Sequence, residues 1–289
     1  MDLRAIFMGV VFAFMWASAF TSARILVLDA PPLTALVLRF LLAGALAVGI
    51  ARYMGQSWRL SRSQWVLTVV FGICQNGLYL GMNFVAMQTV EASLAAIVAS
   101  TMPLWVAFVG WAVLGQKVPA LGIAGLVAGF AGTALIMGSR ISGGVDLVGL
   151  AMCVIGVLAL TAATLAVRGA SSGGNVLMIV GLQMWIGALT LSGFALTLES
   201  WDVNWTWRLA GAFLYVLFIP GLAATWVWFR LVNRIGAVRA ATFHFLTPFF
   251  GVAIAAAVLG EALGPLDVLG VAVIAGGILA VQLSKQKHA

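Results

Sequence analysis

Residues 92–137 read ASLAAIVASTMPLWVAFVGWAVLGQKVPALGIAGLVAGFAGTALIM, and residues 237–282 read AVRAATFHFLTPFFGVAIAAAVLGEALGPLDVLGVAVIAGGILAVQ. Laid one over the other at a constant offset of 145, the two stretches need no gap and share eleven of 46 positions. A common apolar composition inflates such a score, so the punctuation carries more weight. Pro103 falls on Pro248, Val113-Leu114-Gly115 on Val258-Leu259-Gly260, and Gly125 and Gly132 on Gly270 and Gly277. One unit is used twice.

The unit is apolar throughout. Of 289 residues 63% are hydrophobic and 8% charged, against about 25% charged in a soluble domain, and the mean hydropathy is +1.13. No soluble fold of this length hides so much apolar surface, so the chain belongs in lipid. A hydrocarbon core of about 30 Å takes about 20 apolar residues as a helix, because each backbone amide must find its partner within the segment. Ten runs qualify: Leu3 to Ser22, Leu33 to Ala51, Trp65 to Met87, Ala92 to Gly115, Pro119 to Gly138, Leu147 to Val167, Val176 to Thr197, Leu209 to Phe229, Ala237 to Gly260 and Leu266 to Val281. Turn-forming clusters, Asp29-Ala30-Pro31-Pro32, Gly143-Gly144 and Ser171-Ser172-Gly173-Gly174, separate some of them. A transmembrane β-barrel would alternate in polarity every second residue, and these runs do not. Ala17-Ser18-Ala19 imitates a signal-peptidase site, but the first run reads as a retained helix.

Ten helices in two units make five per unit, residues 1–140 and 146–289. Five is odd, so the second unit enters the membrane from the opposite face. The expected fold is therefore an all-α membrane protein of two inverted five-helix repeats. Inverted repeats suit transport, because two pseudo-symmetric conformations open one midplane site to either side. An even number of spans puts both termini on one face. Eleven of the fifteen Lys and Arg residues fall on that face, and only Arg24, Arg140 and Arg208 fall opposite, so the termini are expected in the cytoplasm. Seven of the eight acids, Asp29, Glu91, Asp146, Glu199, Asp202, Glu261 and Asp267, fall on the outer face. The +7 charge and the pI near 10.3 thus follow from topology, and no nucleic-acid partner is expected, since the charges are spread over loops and tails.

Three groups of residues carry a family likeness: Met15-Trp16-Ala17-Ser18-Ala19-Phe20, Arg39-Phe40-Leu41-Leu42-Ala43, and the blocks ending Leu114-Gly115-Gln116 and Leu259-Gly260-Glu261. They resemble the EamA family of the drug/metabolite transporter superfamily, and within it the YddG-type aromatic amino acid exporters. The resemblance implies ten helices, inverted repeats, export of metabolites and residence in a bacterial inner membrane. Gln116 departs from the Glu usual in the first repeat.

Candidate site residues follow from polarity inside the spans. Asn76, Tyr79 and Asn83, at i, i+3 and i+7, share one face of the third helix. They line a solute cavity or bond neighbouring helices. Pro103 and Pro248 lie near mid-membrane and lack an amide, leaving the carbonyls of Ala99 and His244 free for a substrate ammonium unless Ser100, Thr101 or Thr247 repairs the kink. The two prolines are the candidate gating positions. His244, the one histidine within a span, reads as a substrate contact, a structural bonding partner or a proton carrier. Trp16 and Trp105 lie too deep for an interfacial belt and are candidate aromatic walls, while Trp226 and Trp228 are more ambiguous. Arg39 is expected to snorkel or to meet a helix-end carbonyl, with a direct substrate role as the lesser alternative. The cavity is expected among helices one, three, four, six, eight and nine.

Cys74 and Cys153 form no Cys-x-x-Cys pair, and no metal-ligand or nucleophile constellation emerges. No cofactor, metal or catalytic residue is expected, and the partners are a small-molecule substrate and the lipid bilayer, with no oligomer required. An amino acid exporter working by alternating access fits best. No Asp or Glu lies mid-span to carry a proton, so coupling to ions is not expected. A membrane-embedded enzyme, a passive channel and a scaffold are the alternatives.

Overall fold

The computed structural model describes residues 3–113, 115, 118–167, 175–235 and 242–286. Among them there is no strand. Eight helices are long and apolar enough to cross a membrane, and two shorter apolar ones follow. In chain order these are Leu3–Asp29, Pro32–Tyr53, Arg62–Ala86, Ala92–Ala112, Ala120–Ser142, Leu147–Val167, Val176–Leu198, residues 207–235, residues 242–259 and Pro265–Gln286. The start of the ninth expected span, Ala237–Ala241, and Leu114, Gln116 and Lys117 lie outside the described residues.

Four of these helices are irregular, the ninth opening on a 3-10 turn over Thr242–Leu246. The third is π-helical over Gly72–Leu80, and the eighth over Leu217–Ala223, with Pro220 inside. The two π-helical segments begin 145 residues apart, the offset at which the fourth and fifth helices repeat as the ninth and tenth. The fourth helix stops at Ser100 and restarts at Met102.

The chain divides into two compact units. The first comprises Met1–Thr21, Thr89–Leu150 and Ala223–Ala289, and the second Ser22–Gln88 and Ala151–Leu222.

In the first unit the fifth and tenth helices press backbone on backbone. A Cβ on Gly125 would lie 2.7 Å from the Gly277 carbonyl oxygen, and one on Gly132 would lie 3.0 Å from that of Gly270. Such an approach requires glycine, and small residues are what let membrane helices pack closely. The pairing is reciprocal. Gly125 aligns with Gly270 and Gly132 with Gly277 at the 145-residue offset, yet Gly125 meets Gly277 and Gly132 meets Gly270. Glu261 of this unit accepts the Ala92 and Ser93 amides at 2.8 and 2.9 Å, satisfying the otherwise unpaired start of the fourth helix.

In the second unit the second and seventh helices cross at Gly44 and Gly181, where a Cβ on either would lie 3.1 or 3.0 Å from the other's carbonyl oxygen. Each helix start is capped by a side chain next to the end of the other. Glu199 accepts the amides of Leu33 and Thr34, both at 2.7 Å, and the Thr34 hydroxyl at 2.8 Å. Gln56 accepts the amide of Met178 at 3.0 Å. Leu33 and Met178 are again 145 apart.

Candidate functional site

The residues singled out from the sequence fall into both units. In the first, Trp16 lies one turn after Phe12 on the first helix, so the two rings share a face. Their centroids are 5.9 Å apart. Trp228 of the eighth helix lies 4.7 Å from Phe12, and His244 lies 5.4 Å from Phe12, 6.4 Å from Trp16 and 5.3 Å from Trp228. The His244 contacts are edge-on, the arrangement that aromatic quadrupoles favour. Four rings from three helices therefore meet, and among the described residues no hydrogen bond ties the His244 imidazole or either indole.

His244 is positioned by an irregular backbone. It lies in a 3-10 turn, Thr242–Leu246, and the regular helix starts only at Thr247, with Pro248 in its first turn. Pro103 likewise lies in the first turn of Met102–Ala112. Proline is tolerated there because first-turn amides have no intrahelical acceptor. Both prolines therefore open a new helical piece rather than bending a continuous one. Ser100 and Thr101 donate their hydroxyls to Ile97 and Val98 at 2.7 and 2.6 Å, so neither repairs the carbonyl of Ala99. The buried Thr247 hydroxyl has no partner. Trp105 is packed 4.9 Å from Phe130 of the fifth helix and 6.2 Å from Phe108, apart from the His244 group.

In the second unit the Asn76 amide of the third-helix stripe is committed to packing. The buried Asn76 side chain donates to the Gln183 backbone carbonyl at 3.0 Å and to its side-chain oxygen at 3.1 Å. Gly187, one turn along the seventh helix, makes room for Asn76, because a Cβ there would collide with the Asn76 Cβ. Asn83 donates to the Tyr79 carbonyl on its own helix at 2.9 Å, and its Oδ1 is buried without a partner. Tyr79 is buried beside Gly156 of the sixth helix. Sequence reasoning missed Gln183. It is the one amide side chain in the apolar run Val176–Leu198, and that isolation was the available signal.

Arg39 departs from expectation. It does not snorkel: 7% of its surface is accessible, the guanidinium carbon lies 5.5 Å from the Phe40 ring centroid, and Nε is buried with no partner. Gly221, in the π-helical segment, faces it, and a Cβ there would lie 3.5 Å from Nη2 and 4.0 Å from Nε. Placing an arginine at the centre of a membrane helix costs about 2.5–3.5 kcal/mol on insertion scales.

The acids at the helix ends are structural. A cavity of about 450 Å³ in the second unit is lined by Asp29, Pro31, Pro32, Glu199, Asp202 and Asn204 among others. Asp29 there accepts from the Asn204 amide and the Thr206 hydroxyl, both at 3.1 Å, and Glu199 caps the second helix. In the first unit Asp146 caps the sixth helix. The Thr89 hydroxyl at 2.6 Å is the main cause that holds its carboxyl below the usual range; desolvation opposes it, and the amides of Val148 and Gly149 add to the lowering.

Comparison with known proteins assigns the chain. YvbV of Bacillus subtilis, described as an uncharacterized transporter, is 25% identical over 254 residues, which cover 86% of this chain and 82% of that one. Protein PecM of Dickeya dadantii is 26% identical over 273 residues, covering 93% and 89%. A solved crystal structure, 19% identical, shares the fold with a TM-score of 0.70 over the whole of both chains. The EamA-like transporter family matches residues 3–138 and again residues 147–283. This multi-pass membrane chain belongs to the EamA-like transporter family, and YvbV among its relatives is named as a transporter.

Proposed function

We propose that the protein exports amino acids, neutral and aromatic ones above all, across a bacterial inner membrane by alternating access and without ion coupling. Both chain ends lie in the cytoplasm, and residues 1–140 and 146–289 are inverted repeats. The reciprocal glycine contacts of the fifth and tenth helices, the caps at Leu33 and Met178, and the π-helical starts at Gly72 and Leu217 support that organisation. The choice of solute rests on the aromatic group. Trp16 and His244, with Phe12 and Trp228, present ring surface and an imidazole that is not tied to described neighbours. This is the chemistry to hold an aromatic or apolar side chain beside a polar one.

In this reading Trp16, His244 and Trp105 contact the solute, the Ala99 carbonyl and the Ser100 region accept its ammonium, and the breaks before Pro103 and Pro248 act as gates. Asn76, Tyr79 and Asn83 shape the third helix, where the Asn83 Oδ1 is buried without a partner. The absence of Asp and Glu from mid-span positions supports uncoupled transport.

Purified protein in liposomes loaded with L-phenylalanine tests it. Saturable counterflow of labelled phenylalanine without a pH gradient is expected. No counterflow by any neutral amino acid, or counterflow only under an imposed pH gradient, defeats the reading.

A further inference from the structure

Arginine stays charged at every working pH and presents five N–H donors in a rigid plane. Arg39 lies seven residues into the second helix, about 10 Å along it at 1.5 Å per residue. A buried charge there calls for an anion. Among the described residues none is supplied. Of the three acids near the ends of the second unit's helices, Asp29 is engaged by Asn204 and Thr206, Glu199 by Leu33 and Thr34, and Asp202 lies in the exposed loop after the seventh helix. The Phe40 ring face offers only a weak substitute.

Nε has no acceptor, and Nε and Nη2 together form the side-on edge of the guanidinium that takes both oxygens of a carboxylate. Gly221 lies beside that edge: a Cβ there would stand 3.5 Å from Nη2, 4.0 Å from Nε and 3.0 Å from the Val216 carbonyl oxygen. The residue belongs to a π-helical turn containing Pro220, an irregularity of the kind found at functional positions in helices.

We propose that Arg39 is a binding residue for a carboxylate of the transported solute, which sits side-on against the Nε–Nη2 edge beside Gly221. This rests on the transport reading above and narrows it: the solute carries a carboxylate, and decarboxylated or amidated analogues are poor substrates. An anionic lipid head group offers the same oxygen chemistry, but the burial of Arg39 favours a small solute.

The full chain, purified in a detergent without phosphate, is melted with 3-phenylpropionate, phenethylamine or phosphatidylglycerol, and assayed for phenylalanine counterflow in liposomes. Wild type is expected to be stabilised by 3-phenylpropionate and not by phenethylamine. Arg39→Met is expected to lose that shift and to lower counterflow at least tenfold, while Arg39→Lys keeps part of both. Gly221→Ala leaves the charge and sets one methyl 3.5 Å from Nη2, at the cost of a 3.0 Å approach to the Val216 carbonyl, so it weakens the shift too, and, where it folds, it decides the matter should Arg39→Met not fold. An undiminished 3-phenylpropionate shift in either folded variant overturns the proposal, as does stabilisation of wild type by phosphatidylglycerol alone. The two readings fail separately. A carboxylate shift that depends on Arg39 without phenylalanine counterflow removes the amino acid assignment alone, whereas counterflow indifferent to Arg39 removes the arginine site alone.

Discussion

Two groups of side chains are candidates for solute contact: the amide stripe of the third helix and the rings around His244. Their surroundings differ. Asn76 spends both amide protons on Gln183 and sits over a glycine kept bare for it. The rings of Phe12, Trp16, Trp228 and His244 touch one another, and among the described residues no hydrogen bond fixes the indoles or the imidazole. Polar periodicity on a membrane helix therefore marks helix packing as readily as a cavity, because in lipid every amide must be satisfied by protein. Polar groups left over after packing are the better guide to function.

The comparison breaks most visibly at Trp16 and His244. Trp16→Ala and His244→Ala should each reduce phenylalanine counterflow about tenfold, the size of one good aromatic contact together with its buried area. Each variant also loses its ring contacts, so a lower melting temperature is expected and the flux is compared per folded molecule. Full flux in both variants would return the ring group to the status of ordinary core.

How much of this was visible in the sequence depends on distance along the chain. The spans, the 145-residue repeat and the stripe at Asn76, Tyr79 and Asn83 are local patterns and could be read directly. Phe12 and Trp16 also form a readable pair one turn apart, but their meeting with Trp228 and His244 joins residues more than 200 apart, which no periodicity encodes. The caps follow the same logic. Seven outward acids were apparent, yet that Glu199 closes the start of the second helix and Glu261 that of the fourth emerges only once helices pack. Arg39 was misread for a related reason. Snorkelling assumes a free path to water, and the π-helical turn of the eighth helix encloses the guanidinium instead.

The amide stripe gives the opposite signature, in stability rather than flux. Asn76→Leu removes two hydrogen bonds and leaves the Gln183 side-chain oxygen without that donor. Interhelical hydrogen bonds in membranes average about 0.6 kcal/mol each and reach about 1.7, so a loss of about 1–2 kcal/mol is expected in detergent unfolding. Counterflow per folded molecule should be unchanged. A tenfold loss of flux at wild-type stability would make the stripe a cavity wall after all and erase the contrast drawn here.

The smallest effect is expected at the surface of the unit that holds the rings. Asp146 is held below the usual carboxylate range by the Thr89 hydroxyl and two helix-start amides. A carboxylate with a lowered folded pKa contributes its stabilisation above the ordinary value, about 3.9, and loses it as pH falls through the lowered one. Wild type should therefore melt above Asp146→Asn at pH 6, with the gap closing as the buffer is taken below pH about 4. Because the group is exposed, added salt should shrink the gap at pH 6 as well. Counterflow per folded molecule should not distinguish the two proteins, since the cap lies at the start of the sixth helix and touches none of the rings. A gap that widens in acid would mean that the carboxyl is protonated in the folded protein, and that the Thr89 contact runs from carboxyl to hydroxyl instead.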